Sequence, residues 1–526
     1  MPDTARMSHA SSDAGSAEAG VIGLTPWEGT LRRARQRQRA LELLEAKDAD
    51  QAIRALSEVE AYYAVKELGV EDAVPVLAAL EPRQVQAILD LDCWHHERLE
   101  LADVLVWLGA FREAGFEALI GAARCLDPEA LALLFRRRLL IALKPKEDAS
   151  DADPLPDWVV HPPAAIEPLI ETPDGRFFVA ARLVDEADEG GEALEEEERK
   201  AVLELVDDLY RDREWEQAAG VLRLAMSDLS SALEEDALRF RTGRLEDLGF
   251  PPRERALEIY GPLEPARLSV RPEPRYPVLE GHLPARFVAP LSEGLFHAAM
   301  SALGDPAQVR RIEADLIPVA NSALVADGAE PGQLEAVEDT LRRMRGYVEL
   351  ALAHEAPAAR RVEIAAARLG EHHLAELFRI GYTLTLRVAS RARALSKGGR
   401  FMLGAEPLGL LPEGDRAVLG ALLEKRPRFA RALAPVSAAI LAGLEPAQAL
   451  ARGLDREAID ERSAFAGPHE LAAAEAFVAE LEALAAVLGE HPDILAVPAD
   501  VAALPPRAER TLDVLFATAG ARAALG

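Results

Sequence analysis

Leu334-Glu335-Ala336-Val337-Glu338-Asp339-Thr340-Leu341-Arg342-Arg343-Met344-Arg345-Gly346-Tyr347-Val348-Glu349-Leu350-Ala351-Leu352 repeats its apolar side chains at helical intervals. Leu334, Val337, Leu341, Met344, Val348 and Leu352 fall three and four residues apart, on one stripe of an α-helix and on no single face of a strand. Leu374, Phe378, Tyr382 and Leu386 continue the pattern at a spacing of four. The Ala/Leu-rich run from Leu471 to Leu488 reads as a further helix, with Glu475, Glu480 and Glu482 expected outside its core positions.

Towards the N-terminus the helices shorten. Thr25-Pro26-Trp27-Glu28 has the spacing of a capping box with proline at the first helical position, and predicts a helix to about Ala46. Ser57-Glu58-Val59-Glu60 repeats the pattern, with Gly69 free to take the left-handed C-terminal conformation. Ala52 to Leu56, Ala61 to Leu68, Ala73 to Leu80 and Val85 to Leu91 each carry a small apolar face. None is long enough to hold alone, so each must stack on its neighbours in a superhelix. Longer helices are expected at Leu101 to Phe111, Phe116 to Ala123 and Pro128 to Leu143, then at Glu195 to Tyr210, Glu214 to Met226 and Ser231 to Leu245.

One β feature interrupts this. Pro168 to Thr172 and Arg176 to Ala180 flank Asp174-Gly175, a pair suited to a tight hairpin turn. A lone hairpin is marginal, so it should dock on helices. The expected fold is therefore mainly α: a stacked-helix superhelix or bundle with one small β-hairpin near 167–183. Its divisions are a disordered tail (1–22), a short-helix superhelical domain (23–147), a linker with the hairpin and the acidic run that begins at Asp185 (148–191), a middle helical segment (192–263), a proline-rich connection (264–290) and a C-terminal helical domain (291–526).

Composition narrows the function. About half of the 526 residues are hydrophobic (49%), ample for a core, while only 5% are aromatic, so Ala and Leu do the packing and favour helices. Arginine outnumbers lysine heavily, and lysine is confined to Lys47, Lys66, Lys144, Lys146, Lys200, Lys397 and Lys425; with the abundant alanine, this looks like the coding bias of a GC-rich bacterial genome. The formal net charge of −30 repels phosphate backbones and anionic membrane surfaces, so nucleic acid and membrane are not expected partners. A basic protein partner is compatible with it. No apolar run reaches the ~18 residues of a membrane span; Leu131 to Leu143 is cut by Arg136, Arg137 and Arg138, which read as an internally paired, solvated face. Met1 to Gly20 lacks the apolar centre of a signal peptide. Two cysteines, Cys93 and Cys125, make no disulfide framework, and a reducing cytoplasm is the expected location.

Tyr62-Tyr63-Ala64-Val65-Lys66-Glu67-Leu68-Gly69-Val70-Glu71-Asp72-Ala73, the element Ile88-Leu89-Asp90-Leu91-Asp92-Cys93-Trp94 and the later Leu377-Phe378-Arg379-Ile380-Gly381 resemble an uncharacterised bacterial family of long helical proteins, known only as a domain of unknown function. That resemblance implies no activity, substrate or catalytic residue. The short-helix rhythm of about Ala46 to Asp92 is also similar to the cytosolic superhelical domain of MgtE-type magnesium transporters and to helical domains of flagellar motor switch proteins. Those domains imply regulation and protein contacts; ion transport does not follow, since no transporter membrane domain accompanies them.

Two clusters hold metal-ligating side chains. Cys93-Trp94-His95-His96 combines thiol and imidazole, with Asp90 and Asp92 beside it. No second Cys/His pair lies at finger-like spacing, and adjacent helical residues diverge by about 100°, which favours a structural turn anchored by Trp94. His354-Glu355 and Glu371-His372-His373 would meet if their helices packed antiparallel, although the Glu-x-x-His spacing of bundle metal sites is missing. Nucleophile-elbow, phosphate-loop and dinucleotide motifs are missing too, and Lys397-Gly398-Gly399-Arg400 reads as a helix end. No cofactor is expected. The leading expectation is a non-enzymatic protein-interaction or scaffold protein. The alternatives are an enzyme or metal-binding protein with a site near His354 and His372, and a regulatory module sensing divalent cations.

Overall fold

The computed structural model describes residues 25–32, 49–145, 155–163, 166, 168–184, 193–270, 287–397, 401, 408–409, 411–455, 457–458 and 467–488. The expected 1–22 tail, most of the acidic run from Asp185, much of the proline-rich connection and the Gly-Gly break after Lys397 lie outside the described residues.

Both N-terminal capping boxes form. The Thr25 amide donates to Glu28 Oε2 at 2.9 Å and the Glu28 amide donates to Thr25 Oγ1 at 3.2 Å, opening α1 (26–32), whose expected extension to Ala46 lies outside the described residues. After α2 (Ala49–Arg54), Ser57 and Glu60 cap α3 (Glu58–Leu68) in the same reciprocal way. Gly69 ends α3 at φ 87° and ψ 141°: positive φ, as expected, but more extended than a left-handed helical turn. Then come α4 (Val74–Leu77) and α5 (Pro82–Asp92). Gln84 is buried at the start of α5, and its Nε2 donates to the carbonyls of Ile53 and Leu56, 2.9 Å each, fastening α2 to α5.

A two-residue ribbon, β1 (Trp94–His95) with β2 (Arg98–Leu99), leads into α6 (Leu101–Ala114), α7 (Phe116–Cys125) and α8 (Pro128–Arg138). Alternate helices stack: α3 on α5, α5 on α7, and α4 on α6. With α6 also packed on α7, these contacts give the expected stacked-helix architecture.

The helix expected over Pro128 to Leu143 stops at Arg138. Leu139–Leu143 is instead a strand, β3, because it pairs antiparallel with Phe177–Ala181 along its whole length, Leu139 opposite Ala181 and Leu143 opposite Phe177. A run of Leu, Ile and Ala satisfies either helix or strand locally, and the distant partner decides. After a short helix α9 (Asp157–Val160), the expected hairpin is present as β4 (Ile170–Glu171) and β5 (Phe177–Ala181), turned at Gly175 with φ 66°. It belongs to a three-stranded sheet in the order β3-β5-β4, with α10 (Glu196–Arg211) packed against β5.

Helices α11 (Glu216–Ser227) and α12 (Ser230–Asp247) lie on α8, and α12 also reaches α5 and β2. A bend at Leu248 to Pro252 leads to α13 (Arg253–Ala256) and a 3-10 turn, Leu257–Tyr260, both on the C-terminal helices. Those are α14 (Val288–Leu291), α15 (Gly294–Ala302), α16 (Pro306–Asp327), α17 (Leu334–Ala353), α18 (Arg361–Glu371), α19 (Leu374–Lys397), α20 (Glu413–Leu423), α21 (Ala434–Leu441), α22 (Pro446–Leu450) and α23 (Pro468–Leu488).

Helix α17 is the axle of this half, touched by α14, α15, α16, α18, α19 and α23. Its single apolar stripe is an underestimate: Thr340, Arg345 and Glu349 are buried as well. Glu349 accepts from the Phe296 amide at 3.0 Å and so caps the start of α15 from outside. Glu480, expected outside the core of α23, is also buried, whereas Glu482 pairs with Arg391 across to α19. The halves meet directly. Trp27 donates to His297 Nδ1 at 3.1 Å and meets Phe296 edge-on, and Tyr63 lies 6.4 Å from Phe287 between ring centroids.

Helices α17 and α19 touch backbone to backbone at Gly381, where an added Cβ would stand 1.8 Å from the Tyr347 carbonyl oxygen. Neither main chain can yield without parting the helices. Gly381→Ala should therefore cost about 3 kcal/mol, the upper end of what overpacking usually costs, read as a fall in the urea unfolding midpoint.

Candidate functional site

Asp90 and Asp92 sit two positions apart near the end of α5, about 200° around the helix, and so face opposite ways. Asp90 is buried and accepts both arms of Arg244 on α12, at 2.7 and 2.8 Å; the same guanidinium donates to Asp127 at 2.9 and 2.7 Å. Burial pulls the Arg244 pKa down, but the hydrogen bonds to Asp90 and Asp127 outweigh it and hold the group above its ordinary value. Asp92 accepts from Tyr62 at 2.7 Å, Trp107 at 3.0 Å and Lys66 at 3.1 Å. Gly332, in the loop between α16 and α17, packs over this carboxylate so closely that a Cβ would lie 2.8 Å from Asp92 Oδ1.

The first candidate metal cluster divides over this framework. Cys93 is completely buried, and burial followed by the nearby Asp92 charge pushes its thiol well above the usual range, away from the thiolate a metal needs. His95 and His96 are exposed on the ribbon turn, His96 at φ 57°. The His95 ring is bonded on both sides, Nε2 to Asp103 at 3.1 Å and Nδ1 to Glu330 at 2.9 Å. Carboxylates only accept, so the two bonds form together only when both ring nitrogens carry protons. Burial alone would lower the His95 pKa; the bonds to Glu330 and Asp103 raise it instead.

The second cluster is also dispersed. Helix α18 intervenes between His354-Glu355 and His372-His373, and its 11 residues rise about 16 Å. The His354 ring stands 3.7 Å from Glu355, and its carbonyl accepts from Arg368 at 2.7 Å. His372 Nδ1 lies 2.8 Å from the Ser269 carbonyl, and His373 Nδ1 lies 3.6 Å from Asp315. Among the described residues no group of three or more His, Cys, Asp or Glu is placed to hold a metal ion.

Two hollows flank the Leu248–Pro252 bend instead. The larger, about 760 Å³, opens between the bend, α16 and the start of α19. Its rim carries Glu246, Asp247, Glu258, Asp315 and Glu376 against Arg255, Arg379 and His373. Pro318, inside α16, forms part of its wall and removes one helical amide donor there. The smaller, about 310 Å³, is walled by α12, the ribbon turn and the end of α16, with Leu238, Leu245, Phe250, Leu324 and Val325 among its apolar residues. Arg241 also lines it, its guanidinium 5.1 Å over the Trp94 ring, donating to the carbonyls of Asp90 at 2.7 Å and His96 at 3.3 Å. Burial pushes the Arg241 pKa down to about 10, with the Asp90 charge opposing, so it stays charged at neutral pH.

Sequence reasoning marked Trp94 as an anchor and noted the two aspartates. It missed Arg241, Arg244 and Arg253. Arg244 lies 154 residues from Asp90, and nothing local to α12 announces the pairing.

The fold and these hollows define a mainly helical protein whose two stacked halves enclose accessible space at their joint. The chain belongs to DUF6178, a family of unknown function, which it matches over residues 25–526. Comparison with curated proteins and with solved structures finds no match. No described helix is long and apolar enough to cross a membrane.

Asp90→Ala leaves Arg244 half-paired in the joint and should lower stability by about 3 kcal/mol in denaturant unfolding. His95 is a group whose folded pKa is raised. Its contribution is complete below the unfolded value of about 6.5 and fades as pH climbs through the folded one. The Tm difference between the native chain and His95→Gln should therefore be larger at about pH 6 than at about pH 8.5.

Proposed function

We propose that this protein is a non-enzymatic scaffold that holds a basic segment of a partner protein in the larger hollow. What carries the reading is the charge balance of that rim: five carboxylates face two arginines and one histidine. The cations are already engaged, Arg255 with Glu246 at 3.8 Å and Arg379 with the Gly261 carbonyl at 2.8 Å. Asp247 and Glu258 are exposed and make no ion pair among the described residues, so they remain for an incoming cation. The net charge of −30 adds long-range attraction for a basic partner.

A second reading has one observation in its favour. His373 beside Asp315 at 3.6 Å is a histidine–carboxylate pair at the edge of the same hollow, an arrangement that serves proton transfer in enzymes.

Cross-linking and capture from native cells with the unaltered chain and with the double variant Asp247→Lys, Glu258→Lys tests the scaffold. A partner recovered with the unaltered chain should fall at least about tenfold with the variant and should weaken as salt is raised. Recovery that ignores both changes would sink the proposal.

A further inference from the structure

The smaller hollow has features the scaffold reading does not use. It is lined by apolar side chains from three elements distant in sequence, and a half-buried arginine stands in its wall. Arg241 is charged, yet its acceptors are two main-chain carbonyls and its neighbour is an indole face. The carboxylate nearest in sequence logic, Asp90, is occupied by both arms of Arg244. Among the described residues Arg241 Nη2 has no hydrogen-bond partner and the guanidinium has no ion pair. A half-buried guanidinium at the wall of an apolar hollow, with one arm not taken up by protein, can pair with an incoming anion more strongly than a fully solvated one.

We propose that this hollow binds a small organic carboxylate with an apolar body, its anion meeting Arg241 and its hydrocarbon part lying against Leu238, Leu245, Phe250 and Leu324. Arg253, on the first turn of α13, also lines the hollow and makes no ion pair among the described residues. Its Nη1 reaches to 3.9 Å from the Cβ position of Gly328 at the end of α16, so a second guanidinium spans the space. A planar guanidinium beside a carboxylate gives paired, charge-assisted hydrogen bonds, which a hydroxyl or an amine cannot reproduce. Size sets the limit. At roughly 30 Å³ for each water-sized group, the space admits about ten non-hydrogen atoms. Three carboxylates also border the hollow. Glu330 is engaged by His95 and Gln333, while Glu97 and Glu254 are exposed, where water and salt screen them. They disfavour large polyanions and leave the inner arginine to decide the head group.

Octanoate, octanol and octylamine share one chain length and differ in head group, so calorimetric titration of the full chain with each separates the contributions. Octanoate should saturate a single site, octanol should bind at least about tenfold more weakly, and octylamine should show no saturable binding. Ala329→Phe, which fills the hollow and leaves both arginines in place, should abolish octanoate binding, and Arg253→Gln should weaken it about threefold. Octylamine or octanol binding as tightly as octanoate overturns the proposal. So does octanoate binding to Ala329→Phe as it binds the native chain, or no saturable octanoate binding at all. If Ala329→Phe does not fold, the head-group comparison on the native chain and on Arg253→Gln decides alone.

Discussion

A carboxylate taken out of water must be paired, and Asp90 and Asp92 impose that requirement in two directions at once. Their separation by two residues turns one aspartate toward α8 and α12 and the other toward α3 and α6. The end of α5 thereby becomes a hub at which the superhelix is fastened to the middle segment. Gly332 extends the hub to the C-terminal half, because only a residue without a side chain can lie against Asp92 and Tyr62 at that range. Asp327 does the same at the end of α16, accepting from Tyr260 at 2.7 Å and from Arg343 at 2.6 Å, and pairing with Arg426. Close packing at points such as Gly381 and these charge nodes, which need their partners within hydrogen-bond reach, together fix how the helices sit against one another.

The hollows follow from that arrangement. Helix α12 is held to α5 and α8 by Arg244, and α13 with its following turn is held to α16 by packing and by Tyr260 on Asp327. The bend between them, with Gly249 at φ 85° followed by Phe250-Pro251-Pro252, crosses from one half to the other, with Phe250 buried and Leu248 accepting from Asn321 of α16. Repeated proline keeps the crossing from continuing as helix, and the two hollows lie beside it. One side is left apolar with an inward arginine, and the other is left open and acidic.

The differences between sequence expectation and structure share a cause. Leu139 to Leu143 became a strand because β5 was available to pair with it, although its own composition fits a helix. Arg345, Glu349 and Glu480 are buried because their helices are surrounded on several sides, where a periodicity argument assigns each helix a single inner face. The histidine and glutamate pairs read from adjacency are not brought together by the fold: they sit at the ends of α17 and α18, where His354 stays beside its neighbour Glu355 while His372 and His373 meet Ser269 and Asp315, residues remote in sequence.

The sequence alone determined the mainly helical class, the capped starts of α1 and α3, the hairpin turned at Asp174-Gly175 and the acidity that bears on partners. These are local properties: periodicity, capping and turn chemistry act within a few residues, and charge is a sum. Only the tertiary structure decided that Asp90 meets Arg244, that Gly332 rests on Asp92, and that Arg241 stands in the wall of an apolar hollow. Those contacts join residues separated by more than a hundred positions, and their energy exists only after the whole set of helices has closed around them.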